Sequence, residues 1–530
     1  MEQFIHTEGL VVLLLLIVSL VAVVAKRVPL PYTVILVVVG LFLTFEQGLR
    51  LEVTPQIILG LFVPPLVFEA AFHIDFERLR RNWLPIVVLA VPGVIATTLI
   101  IALLIWLVSG LPFTTGLVFG SLIAATDPVA VVALFRQLGA PKKLTTLVEG
   151  ESLFNDGTSI VVFGLILAAV TGNGNGPVTF NLLGAIVSFV VVAGGGIGLG
   201  VGLGWLTCLI TARLDNYLIE TSFTTVLAFG SYLLAEEFKV GGVLAVVAAG
   251  IVFGNFGTKN LSPTTKIGLF NFWEYLAFVT NSLVFLLIGL AVNVPEISKE
   301  PGAIAVAIAS VLISRAVVVY GLSFLVNFSK QKVSLAYQHV LVWGGLRGAL
   351  SLALALTLPV SYADRTLVLV MTYGVVLVLL LVQGATMNLL LQRLGLVGRN
   401  SNQLEFERGY GKLVAALAAR DRVREMYENK TISQETWQQL SPELEREVEA
   451  AAQVRQELLN KHPDLQAEER ATASQEGLRA QRVALTDLQN KGVISEAVYE
   501  KLVSEIDETL VEDSSEAEEI PQLPASHQVN

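Results

Sequence analysis

Six ionisable side chains interrupt long apolar stretches of this sequence: Glu69, Asp127, Glu151, Asp156, Arg315 and Arg347. A charge in hydrocarbon costs about 2.5–3.5 kcal/mol on insertion scales, so each of these needs a chemical reason. Oxygen-bearing side chains are densest in Glu151-Ser152-Leu-Phe-Asn155-Asp156-Gly157-Thr158-Ser159. On a helix, Ser152, Asp156 and Ser159 share one face, and Glu151, Asn155 and Thr158 share the adjacent one. Hard oxygen ligands suit a small cation far better than an apolar solute. The carboxylate can also hold a proton in place of the cation, so the two ions compete for one site. That competition, with alternate exposure to the two sides of a membrane, makes an exchanger. The other use of these carboxylates is to neutralise the arginines. It suits Glu151 with Arg315, because an unpaired arginine in hydrocarbon is hard to tolerate; ion binding suits Asp156. Glu149, Glu220 and Glu274 lie nearer the ends of apolar stretches and read as reaching water.

Two helix interruptions accompany these residues. Thr126-Asp127-Pro128 lies in the middle of one apolar stretch. Proline has no backbone N–H and disfavours helix at the residue before it, so free carbonyls are expected there beside a polar side chain. Gly344-Gly345-Leu346-Arg347-Gly348 interrupts another stretch next to a charge. Paired broken helices at matching positions of two inverted repeats mark the binding site of a secondary transporter.

The elements that must carry these residues are membrane spans. The chain of 530 residues is 54% apolar and 15% charged, with mean hydropathy +0.67. A soluble chain is nearer 45–50% apolar and about 25% charged, so a single-domain soluble enzyme is excluded. Thirteen apolar segments approach the length a helix needs to span a bilayer: 9–25, 30–46, 55–73, 84–109, 112–136, 146–171, 181–211, 217–236, 240–256, 270–293, 302–328, 337–359 and 365–392. The interruptions fall in the fifth and twelfth, which are equivalent if spans 1–6 and 8–13 are two six-helix units of opposite orientation. Span seven is glycine-dense, which suits close helix packing, and Thr171–Pro177 reads as a loop. Connections after odd-numbered spans hold 13 Lys and Arg, and those after even-numbered spans only 4. The positive-inside rule then puts the N-terminus outside and the C-terminal tail in the cytoplasm. No Lys or Arg precedes the first apolar run, so that run reads as a span rather than a signal peptide.

Residues 1–396 therefore form a membrane domain carrying 20 basic and 19 acidic side chains, while 397–530 form an acidic helical tail with 15 against 26. An acidic tail repels nucleic acid, so none is expected as a partner. Lys430–Leu440 and Gly492–Leu502 resemble each other: each has a serine after an isoleucine, able to cap a helix with an aromatic and a leucine on one face. The tail reads as two related helical hairpins with a disordered end after about residue 512. It is either a regulatory element or a solvated appendage. One cysteine, Cys208, and five scattered histidines exclude a disulfide framework and a clustered metal site. No cofactor and no enzymatic activity are expected.

Three motifs carry a resemblance over roughly residues 10–392: Thr126-Asp127-Pro128-Val-Ala-Val-Val, Glu-Gly-Glu151-Ser152-Leu-Phe-Asn155-Asp156-Gly157 and Gly345-Leu346-Arg347-Gly348-Ala349. In this order they resemble the bacterial sodium/proton antiporters of the monovalent cation:proton antiporter superfamily, in the branch that also contains the animal sodium/proton exchangers. The resemblance implies thirteen spans, a six-helix core with the ion site, and a separate dimerisation domain, hence a homodimer. It implies that Asp156 is the shared cation and proton carboxylate. The Thr126 carbonyl, the Ser152 hydroxyl and Glu69, directly or through water, would complete the coordination of Na⁺ or Li⁺. It further implies that Glu151 pairs with Arg315, that Asn155 steadies the crossing beside Asp127, and that Arg347 is structural near the second break. The pair Asn155-Asp156, in place of two aspartates, is linked to electroneutral exchange. The expected activity is Na⁺(Li⁺)/H⁺ antiport in a bacterial inner membrane, the absence of a transit peptide favouring the plasma membrane. A K⁺/H⁺ antiporter on the same scaffold, a cation channel and a membrane sensor are the competing readings.

Overall fold

The computed structural model describes residues 2–25, 32–47, 55–171, 182–212, 216–291, 299–329, 331–397 and 401–461, with part of 470–505. The loop after Thr171, the basic residues Lys26, Arg27, Arg50, Arg213 and Lys330, and the terminus after 512 lie outside these residues. The chain divides into two compact units, Met1–Gly398 and Arg399–Asn530.

The regular structure of the described residues is helical. The first unit opens with α1 (Glu2–Ala25), α2 (Tyr32–Gln47) and α3 (Val63–His73), the last entered through Pro55–Ile57 and a π-helical turn, Ile58–Phe62. A short α4 (Phe76–Arg81) leads to α5 (Trp83–Ala90) and α6 (Pro92–Ser109). Then come α7 (Phe113–Ile123), α8 (Val129–Leu138), α9 (Lys142–Thr171), α10 (Leu182–Thr211) and α11 (Tyr217–Glu237). The unit ends with α12 (Gly242–Phe256), α13 (Pro263–Ala291), α14 (Pro301–Val326), α15 (Leu335–Trp343), α16 (Ala349–Leu356) and α17 (Arg365–Arg393).

Among the described residues, eight helical stretches are long and apolar enough to cross a membrane: Trp83–Ser109, Lys142–Thr171, Leu183–Thr211, Tyr217–Glu237, Gly242–Lys259, Thr265–Leu290, Pro301–Val326 and Arg365–Arg393. Of the other apolar intervals, the first holds α1, 24 residues long, and the rest hold shorter helices. Neither α7 nor α8 is long enough to cross a bilayer alone, nor is α15 or α16, so each pair can do so only jointly. The chain is thus an all-helical, multi-pass membrane protein.

The breaks follow from the backbone chemistry. The helix is interrupted over residues 124–128, between α7 and α8, as Pro128 dictates. Residues 344–348 separate α15 from α16, and Ser334 caps α15 by accepting the Tyr337 N–H at 3.3 Å. Two distortions were not expected. The π turn lies just ahead of Pro64-Pro65, whose missing N–H groups leave carbonyls of the preceding turn without their helical partners. The interval 84–109, expected as one span, deviates at Val91, immediately before Pro92.

Small residues let the backbones approach. In glycine-dense α10, a Cβ at Gly196 would collide with the carbonyl of Gly241, just before α12, and one at Gly200 with that of Ala245 on α12. Gly194, Gly198 and Gly202, on the other faces, meet nothing. The close packing expected of span seven is therefore confined to one stripe at helical spacing. On its other side α12 packs on α3, where Phe68, Phe72 and Phe253 are fully buried with Trp273 of α13.

In the second unit α18 (Ser401–Glu428) and α19 (Gln434–Lys461) form a hairpin. Its turn closes through Thr431 N–H to the Met426 carbonyl at 2.8 Å, with Lys430 in the left-handed region (φ 57°) and Tyr427 stacked on Trp437. Ser433 accepts the Thr436 N–H at 3.2 Å as the helix cap. The same five-residue closure recurs at the second segment, from Val493 N–H to the Leu488 carbonyl at 2.9 Å. Gly492, Ala497 and Glu500 of that segment lie outside the described residues.

Candidate functional site

The two interruptions meet. The Asp127 N–H donates to the Leu346 carbonyl at 2.8 Å, joining the break between α7 and α8 to that between α15 and α16. Carbonyls released by the first break are then taken up by side chains. Arg347 Nη1 donates to the carbonyls of Ala124 at 2.6 Å and Ala125 at 3.0 Å. The Ser152 hydroxyl donates to the Thr126 carbonyl. Asp127 turns back on its own chain, its carboxylate accepting the Val129 N–H at 3.0 Å as α8 begins. Glycine is required at this crossing: a Cβ at Gly348 would collide with the Asp127 carboxylate, and one at Gly345 would lie 2.7 Å from Arg315 Nε.

Alongside runs α9. Asn155 Nδ2 donates to Thr126 Oγ1 at 3.1 Å and to Glu151 Oε1 at 3.3 Å, while Asn155 Oδ1 accepts the Ser159 hydroxyl at 2.9 Å. The amide thus ties α9 to the first break. Glu151 is held by Arg315 in a two-pronged pair, with both N–O distances 2.8 Å, and Arg315 also donates to the Leu341 carbonyl through Nε at 3.2 Å and Nη2 at 2.9 Å. Both side chains are buried. A desolvated, doubly hydrogen-bonded pair of this kind fixes geometry, since neither partner can leave without stranding the other. Among the described residues, Thr158 bonds only to its own helix, at the Phe154 carbonyl, 2.8 Å away.

Asp156 is the exception. Its carboxylate makes no hydrogen bond or ion pair among the described residues. It is partly accessible, and Asp127, Glu151 and Arg347 are the charged groups that face it. Ser152, one turn earlier on the same face, brings its hydroxyl and the Thr126 carbonyl to that side of α9. An ionisable oxygen left open beside a hydroxyl, at a crossing where the other carboxylates are held, is suited to exchanging a small cation for a proton.

Glu69 belongs to another group. Its carboxylate lies 3.2 Å from His73 Nδ1, and the charged groups facing it are His73, Arg136, Glu149 and Glu274. Arg136 reaches Glu149 at 3.3 Å. Glu149 and Glu274 retain access to water, as expected. Glu220 does not: it is 1% exposed in the first turn of α11, where it accepts the Asn216 N–H at 3.4 Å. A position near a helix end let it serve the exposed N–H groups of that end instead of solvent.

A family profile for the transmembrane region of sodium/hydrogen exchangers matches residues 12–393. The chain belongs to the sodium/hydrogen exchanger family. It is 41% identical over 395 residues to the Na⁺/H⁺ antiporter ApNhaP of Aphanothece halophytica, covering 74% of each chain. It is 36% identical over 513 residues to the low-affinity Na⁺/H⁺ antiporter NhaS1 of Synechocystis, covering 95% of this chain and 97% of that one. In fold it is similar to the sodium proton antiporter MjNhaP1 of Methanocaldococcus jannaschii, with TM-score 0.61 and 22% identity over 74% of this chain and 99% of that one.

For this exchanger-family chain, the sequence pointed to Thr126, Ser152, Asn155, Asp156, Glu151 and Arg315, and the structure gathers them at one crossing. It missed the reach of Arg347 to Ala124 and Ala125, and the exchange of roles at Ser159, which serves Asn155 rather than Asp156. The remaining signal was chemical: an arginine beside two glycines needs acceptors, and a broken helix has carbonyls to offer.

Proposed function

We propose that this protein is a Na⁺(Li⁺)/H⁺ antiporter that carries one cation or one proton at a time on Asp156. The supporting observation is the open Asp156 carboxylate at the crossing of two broken helices, in a chain whose relatives bear the name of Na⁺/H⁺ antiporters. The Thr126 carbonyl and Ser152 hydroxyl would join Asp156 around the cation; Glu69, which the resemblance implies for this set, is held with His73 in the structure and would reach the cation only by leaving that partner. Asn155 and the Glu151–Arg315 pair hold α9 against the first break, and Asp127 with Arg347 holds the two breaks together.

Charge supports one-for-one exchange. Taken as ionised, Asp127, Glu151 and Asp156 outnumber Arg315 and Arg347 by one. One Na⁺ or one H⁺ makes the site neutral, and a neutral site faces hydrocarbon at least cost. The empty carrier is the expensive form, which discourages a return without cargo. Thirteen crossings in two inverted six-helix units, an outside N-terminus, a cytoplasmic tail and a homodimer in a bacterial inner membrane complete the proposal.

The test is pH-gradient-driven exchange in liposomes. With the interior acid and voltage clamped at zero, external Na⁺ or Li⁺ should alkalinise the interior, and Asp156→Asn should abolish the response while the protein still folds. Wild-type rates in Asp156→Asn would end this assignment. A response to K⁺ alone would move it to potassium/proton exchange.

A further inference from the structure

Arg347 is 1% exposed, yet only Nη1 is engaged, on the Ala124 and Ala125 carbonyls. Nε and Nη2 are buried with no hydrogen-bond partner among the described residues. Arg315, by contrast, uses all three of its nitrogens. Two idle donor nitrogens on one buried guanidinium are costly, and support of two carbonyls accounts for Nη1 alone. The charged groups facing Arg347 are Arg315 from α14 and Glu151 and Asp156 from α9, with Asp127 packed against the neighbouring Gly348. Glu151 is committed to Arg315, and Asp127 accepts the Val129 N–H. Of these carboxylates, Asp156 is the one without a hydrogen-bond or ion-pair partner among the described residues.

We propose that Arg347 is a resident counter-cation for Asp156, a positioning residue that competes with the transported cation and so sets the affinity at which it loads. This rests on Asp156 being the carrier. Before loading, the guanidinium and the open carboxylate attract each other across a poorly screened interior. An arriving Na⁺ neutralises the carboxylate and must displace that attraction, which weakens binding and eases release. Arg347 cannot leave as Na⁺ does, because Nη1 is tethered to the first break.

The experiment compares wild type, Arg347→Gln and Arg347→Lys as full-length protein, reading the Na⁺ concentration for half-maximal exchange in liposomes and the Na⁺-dependent rise in melting temperature in detergent. With the counter-charge gone, Arg347→Gln should load Na⁺ at about fivefold lower concentration or less, with a lower maximal rate. Arg347→Lys keeps the charge but cannot bridge two carbonyls, so its half-saturation should stay within about twofold of wild type. Unchanged half-saturation in Arg347→Gln, or an equal shift in both variants, would overturn the proposal. A stability cycle tests it without transport: Asp156→Asn with Arg347→Gln should lose less melting temperature than the two single changes added together, and simple additivity would overturn it. If Arg347→Gln does not fold, Arg347→Met takes its place in both measurements, replacing the charge by an apolar chain. Exchange that survives in Asp156→Asn would instead refute the carrier assignment on which this rests.

Discussion

At the scale of single residues, the site divides side chains that are held from the one that is open. Glu151 and Arg315 form a buried two-pronged pair, and Asn155 uses its whole amide on Thr126, Glu151 and Ser159. Removing one member of such a pair strands the other, at a cost of roughly 3–5 kcal/mol. Glu151→Gln should therefore lower the melting temperature sharply while leaving any folded fraction able to bind Na⁺; an unchanged melting temperature would remove the pair from the stability of this fold. Asp156 makes no hydrogen bond of this kind among the described residues, so the same chemical change there should cost transport and less stability than Glu151→Gln. Spacing at 100° per residue was enough to put Ser152 and Asp156 on one face. It could not say that Ser159 would be claimed by Asn155, one turn earlier on α9, because that depends on the rotamer Asn155 takes when its Nδ2 reaches Thr126 of the first break.

At the scale of elements, the two broken helices are one device. Proline 128 and the glycines of 344–348 announce both interruptions locally, but their contact through Asp127 and Leu346 is between residues more than two hundred positions apart. Gly348 is the tightest point of the crossing. In Gly348→Ala the new methyl must displace the Asp127 carboxylate, so exchange should fall by about tenfold or more, as expected when a working group is moved by an ångström. An alanine variant with wild-type rates would show that the crossing has slack. The π turn before Pro64-Pro65 and the deviation at Val91 were legible only in hindsight. Proline signals a lost hydrogen bond, while the choice between a kink, a π turn and a break is made by packing.

At the scale of the molecule, apolar length, charge balance and the turn to polar composition after residue 396 all separate a membrane unit from a tail, and the chain divides into compact units at Gly398. Every residue of the Asp156 crossing lies in the first unit. Removing residues 399–530 should accordingly leave Na⁺-driven proton movement within about twofold of wild type while free to alter its pH dependence; loss of all exchange would make the tail part of the transport machinery. The sequence by itself determined what each residue can do: where the backbone must break, which side chains are too polar for hydrocarbon, and which of them share a helix face. Tertiary structure decided which of those needs would meet. Arg347 found the carbonyls freed by Pro128, Arg315 took Glu151, and Asp156 was left open, because hydrogen bonding and charge pairing are settled by proximity in space, which local spacing does not encode.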